Sequence, residues 1–361
     1  METSIMNIFL TIIISLSILL LSYAWFIFCY NEKITISPKL AFIKKPISVF
    51  IFLGFLGCII SYFIVPTQKD MLYTTSISTL LVSFASAIAL YILSQVIKSQ
   101  KLLFVTTLAF CTLNILLLPS DFNFSNGLLP NYVEQIILIL AWSLFAFLYN
   151  NLNDVDGVLN IQSISINVGL ILMYIVGILP ALYGYYAGSI LLVLIAFNFF
   201  SFYPAKLHLT DSECRIIGFI IGWLCILATL EGNICCVAIL AMYYIYEITI
   251  ATLKKLTFKK QYKTLKSNTF YSKIATLGIS PRNICELISR INIMLILLAG
   301  FQIYSPNSYT IVIISFFMVF WITARATSSE NSNNHILITG SLLSFLKKGF
   351  KETKNPTDKD N

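Results

Sequence analysis

Two stretches of the chain hold the residue types best suited to chemistry. The first is Tyr149-Asn150-Asn151-Leu152-Asn153-Asp154-Val155-Asp156-Gly157. It is dense in carboxylates and amides and contains no cation. Such a set suits Mg²⁺, which takes one or two carboxylates together with phosphate oxygens. The same residues also make a hydrated turn built on Asp-Gly chemistry. The second stretch is Tyr203-Pro204-Ala205-Lys206-Leu207-His208-Leu209-Thr210-Asp211-Ser212-Glu213. It joins Lys206 to Asp211 at the start of a helix, where Asp211 could equally serve as an N-cap. Acidic residues at a membrane boundary are costly unless used or hydrated, so both stretches are candidate sites.

The elements that must position them are transmembrane helices. Of 361 residues, 58% are hydrophobic and only 11% charged, with a mean hydropathy of +0.84. A soluble domain of this size carries roughly a quarter charged residues. In lipid only helices and closed barrels satisfy their own backbone. The apolar runs are long and do not alternate, so helices are expected rather than barrel strands. Spans are predicted at about 5–30, 47–65, 74–97, 102–118, 132–149, 163–182, 186–203, 214–230, 232–252, 288–304 and 308–325. The fold expected is all-α, polytopic, with about eleven transmembrane helices. Residues 1–325 form a single transmembrane domain, and 326–361 a polar basic tail. No internal repeat is evident, which disfavours a transporter built from inverted halves.

The cations give an independent check on this topology. With the N-terminus outside, 23 of the 24 Lys and Arg residues fall in cytoplasmic loops or the tail, and only Lys69 lies outside. That asymmetry accounts for the net charge of +8 without nucleic acid as a partner. The loop 253–287 carries L-K-K-L-T-F-K-K, an amphipathic stretch suited to anionic membrane lipids. The tail could hold a short surface helix at Ile336–Phe350. The eight cysteines show no C-x-x-C spacing and read as small apolar residues of helices. The first 30 residues lack a basic leader and a cleavage site, and are expected to be a retained helix.

Taken together, the two polar stretches resemble a known family. W-S-L-F-A-F-L-Y-N-N-L-N-D-V-D-G is similar to W-x-x-N-L-Y-N-F-M-D-G-I-D-G, and Y-P-A-K-L-H-L-T-D-S-E-C-R-I-I-G to P-P-A-K-I-F-M-G-D-V-G-S-G-F-L-G. Both patterns belong to the polyprenyl-phosphate N-acetylhexosamine-1-phosphate transferases, which begin O-antigen, teichoic-acid and peptidoglycan lipid intermediates. A third stretch, from Y-Y-I-Y-E-I-T-I-A-T-L-K-K-L to F-Y-S-K-I-A-T-L-G, resembles the family's last large cytoplasmic loop. The resemblance covers about residues 75–325.

The resemblance implies an enzyme of the bacterial cytoplasmic membrane that uses Mg²⁺. It would move a sugar-1-phosphate from a UDP-N-acetylhexosamine to a polyprenyl phosphate and release UMP, at the start of a cell-envelope polysaccharide such as lipopolysaccharide. A homodimer is among the assemblies expected. By residue, it implies Asp211 as metal ligand and Asp156, Asp154 and Lys206 as catalytic groups. Asn150, Asn153, Lys266 and Glu247 would contact substrate.

The pattern is also damaged. The family's first D-G has become Asn153-Asp154, and G-D-V-G-S has become Thr210-Asp211-Ser212-Glu213-Cys214. An Asp-Asp pair expected where an early helix meets the cytoplasm is replaced by Leu93-Ser94-Gln95-Val96-Ile97-Lys98-Ser99-Gln100-Lys101-Leu102. The loop segment A-H-R-S-H reads Leu265-Lys266-Ser267-Asn268-Thr269, without its histidines. Losing one acid–base group commonly costs about 10²–10⁴ in rate. An alternative expectation therefore stands beside the enzyme: a degenerate relative that binds polyprenyl lipid or a partner enzyme without turnover.

Overall fold

A computed structural model describes residues 2–31, 44–64, 77–118, 129–257, 280–304 and 309–327. Among these the chain is helical, with no strand. We number the helices in chain order. The first three are α1 (Glu2–Tyr30), α2 (46–64, with a π-helical stretch at Phe50–Gly54) and α3 (Ile77–Val96). They are followed by α4 (Gln100–Leu116) and α5 (Asn131–Leu148). A 3₁₀ turn, Tyr149–Asp154, precedes α6 (Val158–Ile175), α7 (Ala181–Ser201) and α8 (Asp211–Leu230). The chain continues with α9 (Ile234–Leu240), α10 (Met242–Thr257), α11 (Pro281–Gln302) and α12 (Thr310–Thr327).

Among the described residues, eight helices are long and apolar enough to cross a membrane, or nine if the bent pair α9–α10 forms one span. The protein is thus an all-helical, multi-pass membrane protein. This is fewer than the eleven spans expected. α4 has 17 residues and rises roughly 26 Å, less than the ~30 Å hydrocarbon core. α12 is likewise short as an apolar helix. The predicted single span at 232–252 is broken after Leu240, where α9 and α10 meet at 65°.

Some boundaries also moved, for local reasons. The span predicted at 163–182 is displaced toward the N-terminus, as α6 at 158–175. Gly157, at φ +87°, starts this helix in a left-handed conformation. Gly177, at φ +84°, ends it, and the Ile178 amide turns back to the Met173 carbonyl at 3.0 Å. The proposed tail helix at Ile336–Phe350 lies outside the described residues, as does Lys266.

α8 is the central helix, and every residue from Glu213 to Leu230 is buried. Two glycines on one of its faces admit α5. A Cβ at Gly218 would stand 2.5 Å from the Tyr149 Cβ, and one at Gly222 2.5 Å from the Trp142 ring. Trp142 then donates its indole N–H to the Phe219 carbonyl at 3.0 Å. This close α5–α8 contact brings the C-terminal end of α5 beside the N-terminal end of α8. Both polar stretches of the sequence lie there.

Candidate functional site

The 3₁₀ turn is anchored by its first residue. Tyr149 is fully buried, its hydroxyl pairs with Ser163 Oγ at 2.7 Å, and its ring lies 5.3 Å from that of Tyr244. Asn150 and Asn151 follow, also buried. The turn then reaches across to the second stretch. Asn153 Nδ2 donates to the Leu209 carbonyl at 2.7 Å. Asp156 Oδ2 accepts from the Ala205 amide at 3.3 Å, and its Oδ1 lies 3.6 Å from His208 Nδ1. From α11, Cys285 Sγ donates to the Asp156 carbonyl at 3.1 Å. A Cβ at Gly157 would meet that sulfur at 3.4 Å, so glycine lets α11 close on the turn.

These contacts enclose a small cleft lined by Asn153, Asp156, Gly157, Asn160, Ser201 and His208, among others. Its volume is about 20 Å³, room for one body the size of a water molecule. Sites for drug-sized ligands span roughly 300–1,000 Å³. A nucleotide diphosphate does not fit there.

The N-terminal end of α8 is held differently from expectation. Thr210, not Asp211, is the N-cap, in a complete capping box: Glu213 Oε2 accepts from the Thr210 amide at 2.7 Å, and the Glu213 amide donates to Thr210 Oγ1 at 3.4 Å. Asp211 is the exposed first residue of the helix, close enough to Arg215 for their charges to interact. Arg215 in turn donates from Nη2 to Gln100 Oε1 at 2.6 Å, and its guanidinium lies 4.9 Å from the Phe147 ring. Gln100 belongs to the segment where the resemblance expects an Asp-Asp pair, so an Arg–amide contact occupies that region. Lys45, at the head of α2, sits 5.8 Å over the Tyr91 ring and acts electrostatically on Glu213.

No family model and no curated protein matches this sequence.

Of the expected site residues, the structure joins Asn153 and Asp156 to the Lys206–Leu209 segment. Lys206 itself is exposed. Asn150 is buried within the turn. Glu247 is buried in α10, where Oε1 accepts from the Tyr243 hydroxyl at 3.1 Å. The side chain of Asp154 and all of Lys266 fall outside the described residues. Among the described residues, no three His, Cys, Asp or Glu side chains converge where an ion could sit. His208, Cys285, Asn160, Ser201, Glu213 and Arg215 were not anticipated as site residues. Only the Thr210-x-x-Glu213 spacing gave a sequence signal, that of a capping box.

A second cavity lies along the membrane-spanning part of α5, α8, α9 and α10. It is an apolar groove of about 400 Å³, lined by residues such as Trp142, Phe145, Leu148, Ala238, Tyr244 and Ile248. At Leu148 it reaches the residue immediately before the 3₁₀ turn. The Tyr244 hydroxyl, at the groove wall, donates to the Phe145 carbonyl at 2.6 Å.

Proposed function

We propose that the chain is a divergent relative of the polyprenyl-phosphate N-acetylhexosamine-1-phosphate transferases that binds a polyprenyl phosphate without transferring sugar phosphate to it. The observation that carries this reading is the apolar groove ending at Leu148, beside the polar turn Tyr149–Asp154. A long apolar chain with a charged head matches that combination of surfaces. Within the bilayer its methylenes gain packing contacts in the groove rather than removal from water. In sequence, Lys254 and Lys255 follow Thr249 of the groove wall in the last turn of α10.

Absence of turnover in this reading rests on how the acidic groups are held. Asp156 faces the Ala205 amide and His208 across a cleft too small for a diphosphate. Glu213 closes a helix cap. Gln100 and Arg215 face each other where carboxylates would be required. Binding needs fewer placed groups than catalysis, because only interactions stronger in the transition state raise the rate.

In the same reading the chain crosses the bacterial cytoplasmic membrane about eleven times, with the N-terminus outside and the polar stretches on the cytoplasmic face. Short α4 and α12 then cross with local thinning of the bilayer. The test is UMP release from UDP-N-acetylhexosamine by the purified protein with polyprenyl phosphate and Mg²⁺. No release is expected. Robust Mg²⁺-dependent release, abolished by Asp211→Asn, would establish an active transferase instead.

A further inference from the structure

The small cleft beside Asp156 contains more unmet oxygen than a packed interior tolerates. Asn160 is 1% exposed, and its Oδ1 has no hydrogen-bond partner. Its amide nitrogen is committed in the other direction, to the Asn198 Oδ1 at 3.0 Å and the Leu194 carbonyl at 3.3 Å, which fixes the orientation of the group. Ser201 is 6% exposed, and its Oγ is likewise without a partner. Both residues line the cleft that Asp156 also lines. Two bare buried oxygens in one cleft are unusual, since buried polar groups are nearly always paired.

The charge of the cleft is negative. Among the described residues the ionic partner of Asp156 is His208, which is 70% exposed and charged only when protonated. Ser201 is the last residue of α7, so the cleft also lies at the negative end of that helix. One carboxylate, one amide oxygen and one hydroxyl form a set of hard oxygen donors. The volume of about 20 Å³ admits one ion. Mg²⁺ dehydrates reluctantly and demands near-octahedral geometry, which three donors from one turn and two helices do not set. Na⁺ and Ca²⁺ accept direct, irregular oxygen coordination.

We propose that Asp156, Asn160 and Ser201 form a site for one partly hydrated cation, Na⁺ or Ca²⁺, between the 3₁₀ turn and the C-terminal end of α7. The ion would clamp the first polar stretch to α7 and so rigidify the cytoplasmic end of the bundle. The site stands independently of the lipid-binding reading above.

The test is equilibrium binding of radiolabelled Na⁺ and, separately, Ca²⁺ to the full-length protein in detergent, with circular dichroism to verify folding of each variant. One of the two ions is expected to bind at one per chain. Asp156→Asn should abolish binding, and Asn160→Leu should weaken it about tenfold or more. Asn160→Asp adds a second carboxylate and should tighten Ca²⁺ about tenfold, since ligand charge sets affinity. Failure of both ions to bind the wild-type protein would mean that the cleft holds water only, and would overturn the proposal. So would binding that survives Asp156→Asn and Asn160→Leu unchanged, or Mg²⁺ competing as well as Ca²⁺. Should Asp156→Asn fail to fold, Asn160→Asp decides: tighter Ca²⁺ binding supports the site, and unchanged binding refutes it.

Discussion

Asn153 donates from Nδ2 to the carbonyl of Leu209 at 2.7 Å, a bond that spans 56 residues of sequence and ties together the two polar stretches. Replacing it with Leu removes the donor and leaves a part-buried carbonyl unmet, at about 1–3 kcal/mol. Asn153→Leu should lower the unfolding midpoint, and hydrogen exchange should quicken at the Leu209 and Thr210 amides. Unchanged exchange there would mean that the stretches are held by other contacts.

The capping box at α8 makes a sharper claim. Thr210→Ala removes a side-chain acceptor from the Glu213 amide, and should destabilise by about 1 kcal/mol. Thr210→Ser should retain most of the stability. Asp211→Ala should cost less than Thr210→Ala, because Asp211 lies one residue inside the cap. Denaturant midpoints of the three variants test the order.

The α5–α8 contact depends on having no side chain at Gly222. A methyl group there meets the Trp142 ring, whose N–H bond to Phe219 holds the ring in place. Gly222→Ala should destabilise by about 1–3 kcal/mol, as overpacking does. Gly188, on α7, has nothing within 4 Å of a built Cβ. Gly188→Ala is therefore expected to be neutral or slightly stabilising in the same thermal unfolding assay.

The helices were legible in the sequence because lipid requires long apolar runs, and each predicted span overlaps a helix of the structure. The break between α9 and α10 was not. It falls in C-C-V-A-I-L-A-M-Y-Y, which contains no Gly or Pro to announce it. The two polar stretches stood out as rare amides and carboxylates in an apolar chain. Their convergence was an expectation of the family resemblance alone; physically it follows from the close packing of α5 on α8 through Gly218 and Gly222. Asp211 attracted attention as a cap, but Thr210 takes that role, one residue earlier. The buried oxygens of Asn160 and Ser201 left no trace in the pattern, since both residues also read as ordinary helix positions.

Glu231, just past the end of α8, offers a pH signature. Burial raises its carboxyl above the ordinary glutamate value, partly opposed by a hydrogen bond with Tyr183. The folded state then holds the proton more tightly than the unfolded state. Its contribution is fully present below the unfolded value and is lost as pH rises through the folded one. The unfolding midpoint should therefore fall as pH rises through the range just above the ordinary glutamate value. Glu231→Gln should flatten that part of the profile, and an unaltered profile would exclude Glu231 as its source.

Topology provides a test that needs no ligand. Reporters fused after Asp121 should read as external, and those after Asp156 or Lys260 as cytoplasmic. Asp121 and Asp156 reporting the same side would show that α5 does not cross the membrane.

The central claim, a polyprenyl phosphate held in the α5–α8–α10 groove, is tested most directly by native mass spectrometry of the full-length protein with added polyprenyl phosphate. One lipid per chain is expected on the wild-type protein. It should be lost in Ala238→Trp, which fills the groove, and kept in Gly188→Ala, which does not touch it. A wild-type protein that holds no polyprenyl phosphate, or an Ala238→Trp variant that holds it equally well, would contradict the account.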